Sequence, residues 1–488
     1  MNSSDLFEKV IGFAHEYGLD EITRDNPDHN GNAVLRKNLK DGDDKDAGEY
    51  FGFISSSEPT GGKYHDFCLV FFPDAVCKYC AISFGIGSLG FLNDLDEAQI
   101  PGTKRLFTRL RRSSARTYFK TDFSDIENTC TIYEAAKKDF PSLEKTLKIY
   151  KTVLPAGEII DLEDPACNCD AIIKAWVATY AKFRGWGTQE QKKKANKAID
   201  ELIADNSNTE EPEDEYKNLC EILLRNRFIV LQGAPGTGKT FTAFKIADHL
   251  KDGRSRVFNP ENIFFTQFHA ETTYSDFVCG ITPVLDGTSL AYKPDKGILY
   301  NAIKQALQKK DDKILLIIDE INRANLSNVL GPVFYLFEKN EGDRRHELKI
   351  DDNLKLSKLP SNLYVIATMN TADRSLAVVD FALRRRFTWI TLKPRVLNNK
   401  ELNKDKSFFK EEFNFFEDLF FKYANDNELN LQPGQSYFIA SDKGEMEERL
   451  KFELMPLMKE YINEGCIIKA KDQLSDYFYE KLKVEMYE

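Results

Sequence analysis

Apolar residues in the second half of the chain fall in short dense runs, 227–231 (RFIVL), 263–268, 314–318 (ILLII) and 363–368, with stretches of helical spacing between them. Each run is the length of one strand buried on both sides. Strands that alternate with helices predict a mostly parallel sheet with helices on both faces. From about residue 398 the pattern turns helical and aromatic-rich (FFKEEFNFFEDLFFKYA), which predicts an α-helical lid after the sheet. Nearer the amino terminus, 50–54, 67–72 and 80–84 read as strands and 171–183 (AIIKAWVATYAKF) as an amphipathic helix, an α+β arrangement. No repeat of solenoid length interrupts either half.

Residues 189–204 carry a thin apolar face of Ala195, Ala198, Ile199, Leu202 and Ile203, so a helix leads into 206–215 (NSNTEEPEDE), whose composition is that of a linker. The expected organisation is therefore an α+β amino-terminal domain at 1–205 and an acidic linker at 206–215. An α/β core follows at 216–397 and a helical lid with the carboxyl-terminal segment at 398–488.

Composition narrows the class. The chain has 488 residues, 42% hydrophobic and 30% charged, as expected of a globular protein. Its 67 Lys and Arg against 78 Asp and Glu give a net charge of −11, which argues against a basic coat for nucleic acid but leaves room for a local basic groove. No apolar run approaches the ~20 residues of a membrane helix, and the first residues lack the basic-then-apolar pattern of a signal peptide. A cytoplasmic protein with no membrane partner is expected, its nine cysteines reduced.

Gly233-Ala234-Pro235-Gly236-Thr237-Gly238-Lys239-Thr240 fits G-x-x-x-x-G-K-[ST] in full, after a strand and before the helix-like FTAFKIADHL. Glycines let successive backbone N–H groups face one anion, and the helix adds its positive end. Lys239 is expected to reach the β and γ phosphates of a nucleotide and the Thr240 hydroxyl to ligate Mg²⁺. The run 314–318 ends in Asp319 and Glu320; a buried parallel strand delivers both to the carboxyl edge of the sheet. Asp319 suits the Mg²⁺ shell and Glu320 the attacking water. A third strand ends at Asn370, in reach of the γ-phosphate or its water.

MNTADRS at 369–375 followed by DFALRRRF at 380–387, DEINRAN at 319–325, QPGQSYF at 432–438 and FHAETTYSDFVCGITP at 268–283 closely resemble the AAA+ motor of the McrB family, the nucleotide-driven subunit of modification-dependent restriction systems. The resemblance covers about 221–461 and leaves 1–205 outside. It implies a ring of subunits, usually a hexamer, with nucleotide at each boundary. It further implies GTP rather than ATP, and a McrC-type partner that stimulates hydrolysis and carries the nuclease. On that resemblance Asn370 and Asp373 position the water with Glu320, Arg385 or Arg386 acts as arginine finger on the neighbouring subunit, and Arg323 lies at the boundary. No G-specific N/T-K-x-D element is present, so the choice between GTP and ATP is left to the resemblance.

The domain at 1–205 contains KRLFTRLRRSSARTYFK at 104–120, seven basic residues without an acid and with Phe107, Tyr118 and Phe119 interleaved. Lys104, Arg105, Arg109, Arg111, Arg112 and Arg116 suit a phosphate backbone, with an aromatic on a base; the alternative is a basic helix face packed against the protein's own acids. Cys77 and Cys80, with Cys167 and Cys169, form a CxxC and a CxC about 90 residues apart, read as buried thiols in preference to a zinc site. The function that follows is an NTP-hydrolysing ring motor that recognises DNA, modified or not, and drives a separate nuclease. A protein-remodelling ATPase whose amino-terminal domain binds polypeptide, and a nucleotide-gated scaffold, are the alternatives.

Overall fold

A computed structural model of the chain describes residues 2–39, 48–87, 98–112, 115–204, 215–251, 255–286, 289–338, 347–351, 354–372, 381–398, 401–402 and 405–487. The chain separates into two compact units, one holding Met1–Thr209 with Phe421–Tyr423 and the other Glu210–Phe420 with Ala424–Glu488.

The first unit is built on a seven-stranded sheet. In chain order its strands are β1 Glu21–Ile22, β2 Ala33–Asn38, β3 Tyr50–Ser55, β4 Phe67–Pro73, β5 Tyr79–Ile86, β6 Thr117–Phe119 and β7 Ala156–Asp161, and they lie in the order β1-β2-β3-β4-β5-β7-β6. All neighbours are antiparallel except β1 and β2. Strand β4 shows why the sheet has helices on both faces. Side chains alternate across a strand, so Phe67, Leu69 and Phe71 enter one core, shared with the helices Ser3–Glu16 and Cys169–Arg184. Cys68, Val70 and Phe72 enter the other, shared with Thr131–Asp139 and Pro141–Leu147. Strands β2 and β7 escape the sequence reading because Arg36 and Lys37 in one and Glu158 in the other break their apolar runs.

The second unit has a five-stranded, all-parallel sheet of β8 Phe228–Gly233, β9 Ile263–Gln267, β10 Ile314–Asp319, β11 Leu363–Asn370 and β12 Thr388–Thr391, in the order β9-β10-β11-β8-β12. Alternation again feeds two cores: Ile314, Leu316 and Ile318 into one, Leu315 and Ile317 into the other. An antiparallel hairpin, Cys279–Asp286 with Ser289–Lys296, follows β9; the apolar pattern does not predict it, since Ile281 and Tyr292 are exposed. The lid packs Phe413, Phe416, Phe438 and Phe478 of its helices and connecting turns together, with Phe420 buried against Tyr461. Its helix Lys443–Arg449 passes through a π-turn at Leu450–Leu454 before continuing as Met455–Asn463. Pro456 explains the widened turn, because proline has no N–H to donate and its ring collides with the carbonyl four residues back. Among the described residues no helix is long and apolar enough to cross a membrane.

Candidate functional site

A parallel sheet places the carboxyl ends of all its strands on one edge. On that edge Gly233 closes β8 beside Asn370 at the end of β11, the two in register, with Asp319 ending β10 on the far side of β11. The phosphate loop turns from β8 into the helix Lys239–Ala247 through Gly236 and Gly238, both at φ +79, a conformation that costs glycine nothing and other residues strain. Thr237 ties the loop to itself, its hydroxyl donating to the Ala234 carbonyl at 2.9 Å. The Lys239 ammonium is buried inside the loop, donating to the carbonyls of Gly233 (3.0 Å) and Ala234 (2.9 Å). A cation held by neutral carbonyls beside a helix amino terminus attracts an anion.

The Thr240 hydroxyl donates to Asp319 Oδ1 at 2.7 Å, and the Thr368 hydroxyl donates to the same oxygen at 2.6 Å. The Glu320 backbone N–H donates to Thr368 Oγ1 at 3.0 Å. Glu320 itself adopts φ +53, ψ +49, the left-handed region that residues with a β-carbon avoid, and backbone of this kind collects at functional sites. Its carboxylate lies 3.5 Å from Arg323 Nε. Asn322, buried, donates from Nδ2 to the Asn370 carbonyl at 3.3 Å. Asn370 Oδ1 accepts from the Ala372 N–H at 3.2 Å. Asp373 lies outside the described residues.

The arginine pair divides. Arg386 is buried, with 8% of its side chain exposed, held by Glu338 at 2.7 Å and lying 4.1 Å over the Phe334 ring. Arg385 meets the same Glu338 oxygen at 2.5 Å but stays 65% exposed.

The lid reaches the loop directly. Gly434 donates its N–H to the Pro235 carbonyl (2.8 Å) and Ser436 to the Gly236 carbonyl (3.0 Å), while Gln435, itself buried, donates from Nε2 to the Thr237 carbonyl (2.9 Å). A β-carbon on Gly434 would stand 2.0 Å from the Gly236 carbonyl carbon, so only glycine allows this approach.

Residues 229–387 match the AAA domain of the dynein-related subfamily. The chain is 35% identical over 277 residues to the Type IV methyl-directed restriction enzyme EcoKMcrB subunit of Escherichia coli (strain K12), covering 51% of this chain and 57% of that protein. The chain carries an AAA domain and over it is similar to the McrB subunit. It is also 28% identical over 201 residues to the Type II restriction enzyme BsuMI component YdiS of Bacillus subtilis (strain 168), covering 34% of this chain and 56% of that one. The chain thus spans a little over half the length of these curated relatives. Among solved structures, a putative ATPase from Cytophaga hutchinsonii aligns at 18% identity and a TM-score of 0.25 over 38% of this chain and 47% of its own, too loose a superposition to bear on the site. The AAA domain makes the edge of the parallel sheet a nucleotide-binding one.

Against the McrB-family motifs, three residues were given no role by the sequence. Thr368 was visible as a hydroxyl inside an otherwise apolar strand, and Gln435 stood in a quoted motif. Glu338 lies far from the arginines in sequence and carries no signal at all.

The basic run in the first unit is not the free stripe that its composition suggests. It spans a helix, Pro101–Thr108, then a turn and the short strand β6. Arg112 is buried in an ion pair with Glu158, whose other oxygen accepts from Trp176 Nε1 at 2.9 Å. Burial raises the Glu158 carboxyl above the usual range, with Arg112 opposing the rise. Lys120 is buried among the carbonyls of Asp125, Asn128 and Thr152. Arg109 pairs with Asp200 at 3.3 Å, and Arg111 and Arg116 lie over Phe119 and Phe140 at 5.0 and 5.1 Å. The Arg112 charge is already met by buried Glu158 and the Lys120 ammonium is enclosed by protein, which removes both from any such surface. None of the nine cysteines is in a disulfide, Cys77 and Cys80 are buried, and among the described residues no group of three metal-ligating side chains is assembled.

Proposed function

We propose that the chain is a nucleoside-triphosphatase motor that works as a ring, most simply a hexamer, on GTP or ATP with Mg²⁺. It recognises DNA and drives a McrC-type nuclease partner in a restriction system. The observation that carries this reading is the gathering of Lys239, Thr240, Asp319, Glu320 and Asn370 on one sheet edge, while Arg385, a cation of the kind phosphoryl transfer demands, stands exposed elsewhere on the same unit. Two relatives that bear the name of restriction enzymes support the biological setting, and the methyl-directed name of one supports modified DNA as ligand.

In this reading Lys239 exchanges its two loop carbonyls for oxygens of the β and γ phosphates, and the loop N–H groups hold the rest of the triphosphate. The Thr240 hydroxyl and the Asp319 carboxylate are hard oxygen donors that fit Mg²⁺, which when bound neutralises charge on the β- and γ-oxygens. Glu320 takes the proton of the attacking water, and Asn370 with Asp373 holds that water in line. Arg323, paired with Glu320 in the isolated subunit, restrains the base until a neighbour competes for the arginine. Arg385 stabilises the charge that develops on the next subunit's phosphoryl group, an effect of roughly 10³–10⁵ in rate. Arg386 anchors the helix that carries it.

The internal commitment of the basic run favours one second reading, a protein remodeller whose first unit binds polypeptide. Turnover stimulated by DNA separates the two, and failure of any DNA to stimulate turnover or bind leaves the remodeller. The motor itself is tested by mixing. Lys239→Ala subunits bind no nucleotide and Arg385→Ala subunits lack the finger, so each alone is inactive. A verified mixed ring should recover phosphate release at boundaries that combine an intact loop with an intact Arg385, and no recovery would remove Arg385 from its role in trans.

A further inference from the structure

We propose that Thr368 is a positioning residue for the metal–nucleotide site, acting through Asp319 and Glu320; the inference rests on the hydrolytic reading above. Thr368 is buried, 1% exposed, in the middle of the sheet, where a hydroxyl must find partners. Both its partners belong to the acid pair. Its one proton goes to Asp319 Oδ1 at 2.6 Å, and its oxygen accepts the Glu320 N–H at 3.0 Å.

Two consequences follow from this geometry. Asp319 Oδ1 receives two hydroxyl donors, Thr240 and Thr368, which fixes the rotation of the carboxylate. Among the described residues no hydrogen bond falls on Oδ2, so that oxygen is left for the shell of a divalent cation. The second consequence concerns Glu320, whose left-handed backbone needs neighbours that hold it there; the Thr368 oxygen supplies one such hold at the amide. A single hydroxyl thereby sets both the orientation of the metal-side carboxylate and the backbone from which the catalytic carboxylate projects. Loss of the hydroxyl should leave phosphate contacts in place and loosen metal and water together.

The test uses the full chain with Thr368→Val and Thr368→Ser, and Mn²⁺ as the probe metal. Mn²⁺ affinity of the nucleotide-bound protein is read by electron paramagnetic resonance and turnover by phosphate release. In Thr368→Val we expect Mn²⁺ affinity and kcat each to fall about 10- to 100-fold, the range for a residue behind a metal ligand, with nucleotide KM changed less than about threefold. Thr368→Ser keeps the hydroxyl and should return both quantities to within about threefold of the unchanged protein. Mn²⁺ affinity and kcat in Thr368→Val equal to those of the unchanged protein would overturn the proposal. Should that variant fail to fold, Thr368→Ala is read in the same way, and equal losses in the Ala and Ser variants would overturn it too. The Mn²⁺ measurement needs no turnover. A chain that binds Mn²⁺ and nucleotide but hydrolyses nothing would therefore sink the hydrolytic reading and leave the role of Thr368 to be decided by metal affinity.

Discussion

Both units bury a sheet between helices and both carry a polar cluster inside it, yet the clusters have different consequences. In the second unit Thr240, Asp319 and Thr368 converge from three elements on one edge of a parallel sheet. In the first unit Glu158 sits within β7, closed in by Arg112 and Trp176. Strand direction accounts for the difference. Parallel strands send every carboxyl end to one edge, so polar residues at strand ends accumulate there, beside the amino termini of the following helices. Antiparallel strands send alternate ends to opposite edges, and a charge placed mid-strand meets only the interior. One cluster is left with an open carboxylate oxygen and an exposed rim. The other is a closed ion pair that must be satisfied where it is.

The largest effect expected from breaking this comparison lies in the closed cluster. Arg112→Ala leaves Glu158 buried without its cation, and breaking a buried pair from one side costs about 3–5 kcal/mol. Denaturant unfolding should show the first unit destabilised by that amount while basal nucleotide turnover by the second survives. If turnover fell in parallel, the separation of chemistry from the first unit would be wrong. Replacing both partners, as Arg112→Met with Glu158→Leu, should cost much less, since no charge is then stranded.

How much of this was legible in the sequence follows the same division. Strands β8, β10 and β11 were visible because central parallel strands are continuously apolar, and the residues that end them, Gly233, Asp319 and Asn370, stood out against that run. The helix 189–204 was visible from its apolar spacing. Strand β7 was hidden by Glu158, whose charge is tolerable only because Arg112 and Trp176 come from distant parts of the chain. For the same reason the run 104–120 read equally as an exposed basic surface or as a face packed against the protein's own acids, since nothing local reveals that Arg112 has a partner 46 residues away. Contacts between the lid and the phosphate loop were beyond reach for a similar reason. Gly434 reads as a turn residue, and its need for bare backbone against Gly236 appears only in three dimensions.

A smaller effect sharpens the open cluster. Gly434 has ordinary backbone angles, φ −74 and ψ 169, so Gly434→Ala introduces no strain of its own. Its β-carbon would instead drive the lid off the loop, at 2.0 Å from the Gly236 carbonyl carbon and 2.2 Å from the Thr237 nitrogen. Overpacking of this kind costs about 1–3 kcal/mol, and nucleotide affinity, measured by fluorescence titration, should fall by about tenfold. Unchanged affinity would show that the lid contact is no part of the nucleotide site.

The smallest effect contrasts the buried pair with a charged cluster at the lid surface. Glu445 receives Lys406 Nζ on both oxygens at 2.8 Å, together with the N–H (2.8 Å) and hydroxyl (2.7 Å) of Ser441. These donors, Lys406 first, pull its carboxyl from the ordinary 4.5 down to about 2. A carboxyl whose value is lower folded than unfolded is bound more tightly in its ionised form. Its contribution is therefore fully present above about pH 4.5 and fades as pH falls toward about 2. Glu158 has the opposite sign, because burial raises it: its preference for the protonated form favours folding at low pH and is lost as pH rises through its folded value. Glu445→Gln should lower the second unit's unfolding midpoint at neutral pH and flatten its acid limb, so that the two proteins converge as pH falls toward about 2. Because the cluster is partly exposed, the difference should shrink further as salt is raised. A difference that grew with salt, or an acid limb identical in the two proteins, would mean that the Lys406 contact does not support the lid's own fold in solution, and that this fold rests on its aromatic core.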